Sequence, residues 1–123
     1  MKVAITQNPR YLLVRLDGNF DANWASAVGD RIEFSLQEYS RGQPLDIDLV
    51  IDLGGVAYIS SGAIRVLLTL QRKMEGAGRK LALCDPGPQV SQVMQLSGLY
   101  DLLAFYPSPD AAARALEGYG RRT

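Results

Sequence analysis

Apolar residues follow two different spacings along the chain, and the alternation between them predicts the order of strands and helices. Two β-rich runs, residues 2–6 (KVAIT) and 11–18 (YLLVRLDG), flank the turn signal QNPR, which predicts an antiparallel hairpin at the start of the chain. Over about residues 23–39, apolar positions recur at helical spacing, which predicts a helix. Trp24 follows this spacing and is expected in the core, whereas a solvent-facing Trp24 beside Asp21 would suit contact with a partner.

The rest of the chain continues as alternating strand-like and helix-like segments that glycine or proline separates. These segments are a strand at 46–53, a helix at about 61–75, a strand at 79–85, a helix from about 90 to 98, a strand at 102–106 and a last helix opened by Ser108 and Pro109. Such alternation favours parallel pairing with right-handed crossovers. The predicted fold class is α/β, with a single, mostly parallel β-sheet, an N-terminal antiparallel hairpin and about four helices packed on it.

Length and composition indicate one domain, expected at residues 1–117, followed by a disordered tail at 118–123. The 123 residues are 47% apolar, enough for a core. Lys and Arg (13) balance Asp and Glu (13), so neither nucleic acid nor anionic lipid is indicated as a direct partner. No apolar run approaches the roughly 18 residues of a membrane span, and the single cysteine, Cys84, cannot form an internal disulfide. A cytoplasmic setting is expected.

The absence of histidine from the sequence restricts the chemistry more than any other compositional feature. Histidine is the commonest general base and metal ligand, so Ser–His triads and HExxH zinc sites are excluded. A phosphate-binding P-loop is also absent, because Gly54-Gly55 is not followed by the required Gly-Lys-Ser/Thr. Cys84 lies in a strand-like apolar run and is expected to be a core residue, not a reactive thiol.

Two adjacent serines, Ser60 and Ser61, stand where a strand-like run gives way to the second predicted helix. A serine at this position accepts a hydrogen bond from an unpaired backbone N–H, a cap that contributes about 1 kcal/mol. One serine suffices for the cap, and if it is Ser60, the hydroxyl of Ser61 has no structural role. Ser61 then suits phosphorylation, because the positive end of a helix tolerates a phosphate. Two interpretations of the pair therefore stay open: a purely structural capping role, and a phosphorylation site at Ser61.

The helix surface next to Ser61 is part apolar and part basic. Ile64 and Leu68 fall at the border of the core-facing arc, on the flank of Ser61, where a partner is expected to dock. A phosphate would bring about −1.5 to −2 charges into that apolar contact, at high energetic cost. Arg65, one turn beyond Ser61, either pairs with such a phosphate or is a solvated surface charge.

The segment DLGGVAYISSGAIRVLL, residues 52–68, resembles the signature of STAS domains, specifically of bacterial anti-sigma factor antagonists. In that family a strand ending in Asp-Leu leads through a short loop to Tyr/Phe-Ile-Asp/Ser-Ser at a helix start, and Ser61 aligns with the phosphoacceptor serine. RLDGNFDA, KMEGAGRKLALCDP and the closing segment VMQLSGLYDLLAFYPSPDAAARAL also match family elements. The resemblance covers essentially the whole chain and implies the STAS fold.

The resemblance implies a regulatory protein that is not an enzyme, with no catalytic residue, cofactor or metal. Family members bind an anti-sigma factor that is also a serine kinase, are released when it phosphorylates the motif serine, and are restored by a metal-dependent serine phosphatase. Ser61 is therefore the expected phosphorylation site. The expected partner-binding residues are Asp21, Asn23, Tyr58, Ser60, Gly62, Ile64, Arg65 and Leu68.

Two departures from the family pattern bear on the efficiency of phosphorylation. Gly62-Ala63 reverses the usual Ser/Ala-Gly order, so the methyl group of Ala63 is expected to hinder a kinase that must approach the backbone there. Ser60 stands where many relatives have Asp, which removes one carboxylate beside the acceptor.

Two aspartates, Asp21 and Asp52, each have a structural and a functional interpretation. Asp21 is either a docking residue or the N-cap of the first helix. Asp52 either orients the loop before Ser60 or forms an Asx-type turn with Gly54.

Two other functions compete with the antagonist reading. A STAS domain can also be a non-phosphorylated partner subunit, for example of a membrane lipid-transport ATPase complex, although the retained Ser61 argues mildly against this. A receiver-like phosphoaspartate domain would need an acidic pair after its first strand and a lysine near its last one. YLLVRLDG and LLAFYPSP supply neither.

Overall fold

The computed structural model describes residues 1–120, and residues 121–123 lie outside the described part of the chain. Its elements are β1 (Lys2–Gln7), β2 (Tyr11–Phe20), α1 (Ala22–Ser40), β3 (Asp48–Ile59), α2 (Ser61–Gly76), β4 (Leu81–Cys84), α3 (Pro88–Leu96), a 3-10 helix (Leu99–Asp101), β5 (Ala104–Tyr106) and α4 (Pro109–Gly120). The order of strands and helices is the predicted one. The tail predicted at 118–123 falls on the end of α4 and on residues outside the described part, and it stays a prediction.

The strands form one sheet in the order β1-β2-β3-β4-β5. β1 pairs with β2 antiparallel, and the other neighbours pair in parallel. Parallel neighbours need a crossover connection, which α1, α2 and α3 provide in turn. Because each of these helices starts after the end of a strand, β2, β3 and β4 end at the same edge where the three helices begin, which we call the carboxyl edge. The predicted fold class is confirmed.

The helices divide between the two faces of the sheet. α1, α2 and α3 pack on one face, where Leu49 and Ile51 of β3 share a core with Leu67 of α2. α4 packs on the other face through Ala112, which lies in a smaller cluster with Val50. The first six residues of β3 are all buried, as expected for a central parallel strand covered on both faces.

α1 buries a stripe of side chains that excludes its tryptophan. The buried positions are Ala25, Val28, Ile32 and Leu36. Trp24 is 44% exposed, so the expectation of a core tryptophan is wrong and the solvent-facing alternative holds. The physical reason is angular, because Trp24 lies one position before the stripe and therefore about 100° around the helix axis from Ala25.

Cys84, at the end of β4, is a buried free cysteine, which confirms the prediction of a core residue. Burial raises the pKa of its thiol to about 12, with further contributions from the charges of Asp52 and Asp85. Because the thiolate is the reactive form, we expect iodoacetamide at pH 8 to leave the folded protein unmodified and to alkylate it fully in urea, as measured by intact mass. Equal alkylation rates in the two conditions would contradict this burial.

Candidate functional site

Ser60, at the junction of β3 and α2, is fixed by three hydrogen bonds. Its backbone N–H donates to the carbonyl oxygen of Phe20 at 3.0 Å, and its own carbonyl oxygen accepts from the N–H of Ile64 at 3.0 Å. Its Oγ accepts from the N–H of Ala63 at 3.1 Å. The backbone of Ser60 is extended, as is usual for an N-cap. The prediction that Ser60 can cap this helix is confirmed.

Removing this cap has a defined expected cost. We expect Ser60→Ala to lower the free energy of unfolding by about 1 kcal/mol, because the N–H of Ala63 loses its acceptor. Ser60→Asp should retain most of the stability, since Asp is an equally good cap. Urea denaturation of the three proteins measures both effects, and an alanine variant as stable as the wild type would rule out an energetic role for the cap.

Ser61 is the first residue of α2, and its side chain is exposed. Within the described residues its hydroxyl makes no hydrogen bond, in contrast to the neighbouring Ser60. The first backbone N–H groups of a helix lack intrahelical partners and carry the positive end of its dipole. The site therefore combines an accessible hydroxyl with an electrostatic setting that favours a negative charge.

The start of α1 lies directly beside the start of α2. Phe20 and Ile59 are register partners at the ends of β2 and β3, and Asp21 follows Phe20 as the N-cap of α1. Asp21 Oδ1 accepts from the backbone N–H of Asn23 at 3.0 Å, which confirms the capping reading of Asp21. Its expected docking role stays a prediction. Neither helix has an acidic residue in its first turn.

The aromatic residue predicted for the partner surface, Tyr58, does not share the side of β3 on which α2 packs. Tyr58 is 46% exposed, and it pairs in register with Asn19. Ile59 belongs to the core beneath α1 and α2. Because successive strand residues point to opposite faces, Tyr58 lies at the carboxyl edge near Ser61 but is directed away from these helices.

The Gly62-Ala63 pair that departs from the family pattern has its methyl group in the core. Ala63 is fully buried, so its side chain does not lie on the surface beside Ser61. Gly62 is partly exposed, and a Cβ there would meet the Cα of Ala22 and the Cβ of Ala25 at 3.9 Å. The expectation that the Ala63 methyl hinders an approaching kinase therefore loses its structural basis.

The flank of α2 beyond Ser61 carries the remaining predicted residues. Ile64 and Leu68 are partly buried and pack against the core with part of their apolar surface open to solvent. Arg65 is exposed and lines a groove of about 490 Å³ between α1 and α2, with Gly62 at the end nearer to Ser61. The sequence thus predicted the mixed surface of this flank but not the groove.

The sequence does not identify as a unit one group of residues that lies within β2 and β3. Asp52 is buried, with its Oδ1 accepting from the N–H of Gly54 at 2.9 Å and its Oδ2 at 2.9 Å from Nη1 of Arg15. Nε of Arg15 lies 3.4 Å from Oδ2 of Asp17. The Asx-type contact with Gly54 confirms one reading of Asp52. The ion pair joins residues 37 positions apart, so only the strand register reveals it.

The family model of the STAS domain matches residues 2–112, and the chain therefore belongs to the STAS domain family. This confirms the resemblance drawn from the serine motif. The anti-sigma F factor antagonist of Paenibacillus polymyxa is 22% identical over 117 residues, which cover 95% of this chain and 96% of that relative. BtrV of Bordetella bronchiseptica, provisionally named an anti-sigma factor antagonist, is 35% identical over 69 residues, which are 56% of this chain and 60% of BtrV.

A solved structure shares the fold at low sequence identity. The anti-sigma factor antagonist SpoIIAA, a Bacillus cell fate determinant, superposes in its unphosphorylated form with a TM-score of 0.74, at 17% identity over 93% of this chain and 96% of that chain. Its phosphorylated form gives a TM-score of 0.67. Among residues 1–120 of the present chain, no helix is long and apolar enough to cross a membrane. Nor does that part of the chain contain a group of three or more potential metal-binding side chains.

Proposed function

We propose that this chain is an anti-sigma factor antagonist that binds a serine-kinase anti-sigma factor and is released when that kinase phosphorylates Ser61. The observation that carries the proposal is the exposed Ser61 hydroxyl, which makes no hydrogen bond within the described structure. The neighbouring Ser60 already caps the helix. Membership of the STAS family and the antagonist names of the relatives support the same assignment.

A phosphate on Ser61 would act on the interface and not on the fold. It would occupy solvent at the positive end of α2, beside the start of α1, and neither helix has an acidic residue in its first turn. A partner lying over the same hydroxyl would have to bury the new charge, and an unpaired buried charge is costly. One modification thus separates two proteins while both stay folded.

The proposed docking surface surrounds Ser61. Its residues are Asp21, Asn23, Tyr58, Ser60, Gly62, Ile64, Arg65 and Leu68. The apolar parts of Ile64 and Leu68 supply contact area, and Trp24 adds an exposed aromatic side chain on the neighbouring helix. A metal-dependent serine phosphatase would remove the phosphate and restore binding. SpoIIAA has been solved in an unphosphorylated and a phosphorylated form, which supports a switch of this kind on the same fold.

The experiment is a binding measurement with a candidate full-length serine-kinase anti-sigma factor from the same organism, followed by addition of ATP. We expect a complex on size-exclusion chromatography that dissociates after ATP and Mg²⁺ are added, and that persists with a non-hydrolysable ATP analogue. No complex under either condition, or a complex unaffected by turnover of ATP, would refute the proposed function.

A further inference from the structure

We propose that Asp52 is a positioning residue that sets the direction of the last part of β3 and so presents Ser61 to its kinase. The inference rests on the proposed function for its kinase readout, but not for its structural readout. Asp52 is 4% exposed and lies nine positions before Ser61. It acts with Arg15 and Asp17, and we call these three residues the Asp52 cluster.

The Asp52 cluster lies where the pairing of β2 with β3 is irregular. Arg15 is the register partner of Asp52, whereas Asp17 is the partner of Gly55, so β3 contains one extra residue across this step. A second shift follows between Gly18 and Asn19. Such β-bulges bend the strand that contains the extra residue. The direction of the last residues of β3 therefore depends on the segment between Asp52 and Ile59, the last residue of the strand.

Both carboxylate oxygens of Asp52 are engaged at the first of these shifts. Oδ1 accepts a hydrogen bond from the N–H of Gly54, the residue that begins the bulged stretch, and Oδ2 forms an ion pair with Arg15 on the neighbouring strand β2. A Cβ on Gly54 would lie 2.5 Å from Oδ2 of Asp85 and 3.1 Å from Oδ1 of Asp52. The bulge is thus packed against carboxylates as well as hydrogen-bonded to one of them, which restricts the conformations open to it.

A second buried aspartate on the same strand provides a matched control. Asp48, at the start of β3, is 7% exposed. Its Oδ1 accepts from the N–H of Lys80 at 3.0 Å and lies 3.0 Å from Nε of Arg79. Asp48 and Asp52 therefore have the same residue type, strand, burial and kinds of partner. They differ in position, because Asp48 lies at the end of β3 opposite to Ser61.

The test compares Asp52→Ala and Asp48→Ala in the full chain, with Asp52→Asn as the conservative variant. Both alanine variants should lose stability to urea. Only Asp52→Ala should shift the NMR amide resonances of residues 56–62 in the protein without its partner. Only that change removes the hydrogen bond to Gly54 and the ion pair with Arg15, which restrict the conformation of the bulge. With the kinase, Asp52→Ala should lower kcat/KM for phosphorylation of Ser61 at least about 10-fold. Asp52→Asn should recover part of that loss, since its side-chain carbonyl can still accept from Gly54.

Each outcome decides the proposal. Equal losses of kcat/KM in the two alanine variants, measured at a temperature where both are folded, would leave Asp52 as a merely structural residue. Unchanged amide resonances at residues 60–62 in Asp52→Ala would overturn the proposal even without a kinase. If wild-type protein is not phosphorylated at Ser61, the proposed function fails, while the resonances still decide whether Asp52 positions the site. If Asp52→Ala does not fold, Arg15→Met tests the same ion pair, because it removes the charge of an exposed side chain and leaves Asp52 in place.

Discussion

Replacing Ser61 with Asp is expected to weaken binding of the serine-kinase anti-sigma factor at least about 100-fold, which corresponds to about 2.7 kcal/mol. A partner that covers the Ser61 hydroxyl must desolvate the new carboxylate, which is costly in an apolar contact. The fold itself should tolerate the change, because an acidic residue in the first turn of a helix interacts favourably with the helix dipole. Isothermal titration calorimetry measures the affinity, and urea denaturation should show stability equal to or slightly above that of the wild type.

Ser108→Asp is the matched control for this substitution. Ser108 also stands at a helix start, where its Oγ accepts from the N–H of Ala111 at 3.1 Å, but α4 packs on the opposite face of the sheet from α1 and α2. Asp can replace Ser as a cap, so the variant adds the same charge in a similar local setting. We expect its affinity for the kinase to be unchanged. Equal affinity of Ser61→Asp and wild type would show that the partner does not cover Ser61.

Gly55→Ala is expected to destabilise the protein by about 3 kcal/mol, the upper part of the range for forced overpacking. A Cβ on Gly55 would lie 2.8 Å from the carbonyl oxygen of Leu16 and would collide with the carboxylate of Asp17. The carboxylate can rotate away, but the carbonyl oxygen belongs to the paired backbone of β2 and cannot move without disturbing the sheet. For a domain of this size the midpoint of thermal unfolding should fall by roughly 10 °C.

The same chemical change at Gly76 should have the opposite sign. Gly76 is the last residue of α2, and a Cβ there would have no atom within 4 Å. Because alanine is a better helix former than glycine, Gly76→Ala should raise stability by about 0.5 kcal/mol. Differential scanning calorimetry of both variants tests the pair. A Gly55→Ala variant with wild-type stability would mean that β2 and β3 are farther apart at Gly55 than the structure has them.

Local sequence signals predicted the parts of this fold that depend on neighbouring residues. The hairpin followed from two β-rich runs and a turn, and the caps Ser60 and Ser108 followed from serines placed before helical spacing. The parallel sheet followed from the alternation of elements. The hairpin and the caps depend on interactions that span only a few positions along the chain, and the alternation of elements depends on local spacing, which is why a single sequence suffices for these predictions.

Features that depend on register or on the exact helix face escaped prediction. β3 was expected to end at residue 53 but continues to Ile59, because bulges let it stay paired with β2 past two glycines. The spacing predicts a core Trp24 because this residue lies four positions before Val28, but the buried stripe includes Ala25 in its place. The pairing of Arg15 with Asp52 requires the alignment of two strands, which no local pattern encodes.

The most direct measurement is intact-mass and peptide analysis after incubation with ATP and the serine-kinase anti-sigma factor, applied to wild type, Ser60→Ala and Ser61→Ala. The wild type and Ser60→Ala should each gain one phosphoryl group, located on Ser61, and Ser61→Ala should gain none. Phosphorylation of Ser61→Ala at the wild-type rate, or a wild-type protein that stays unmodified by an active kinase, would contradict the assignment of Ser61 as the regulated hydroxyl.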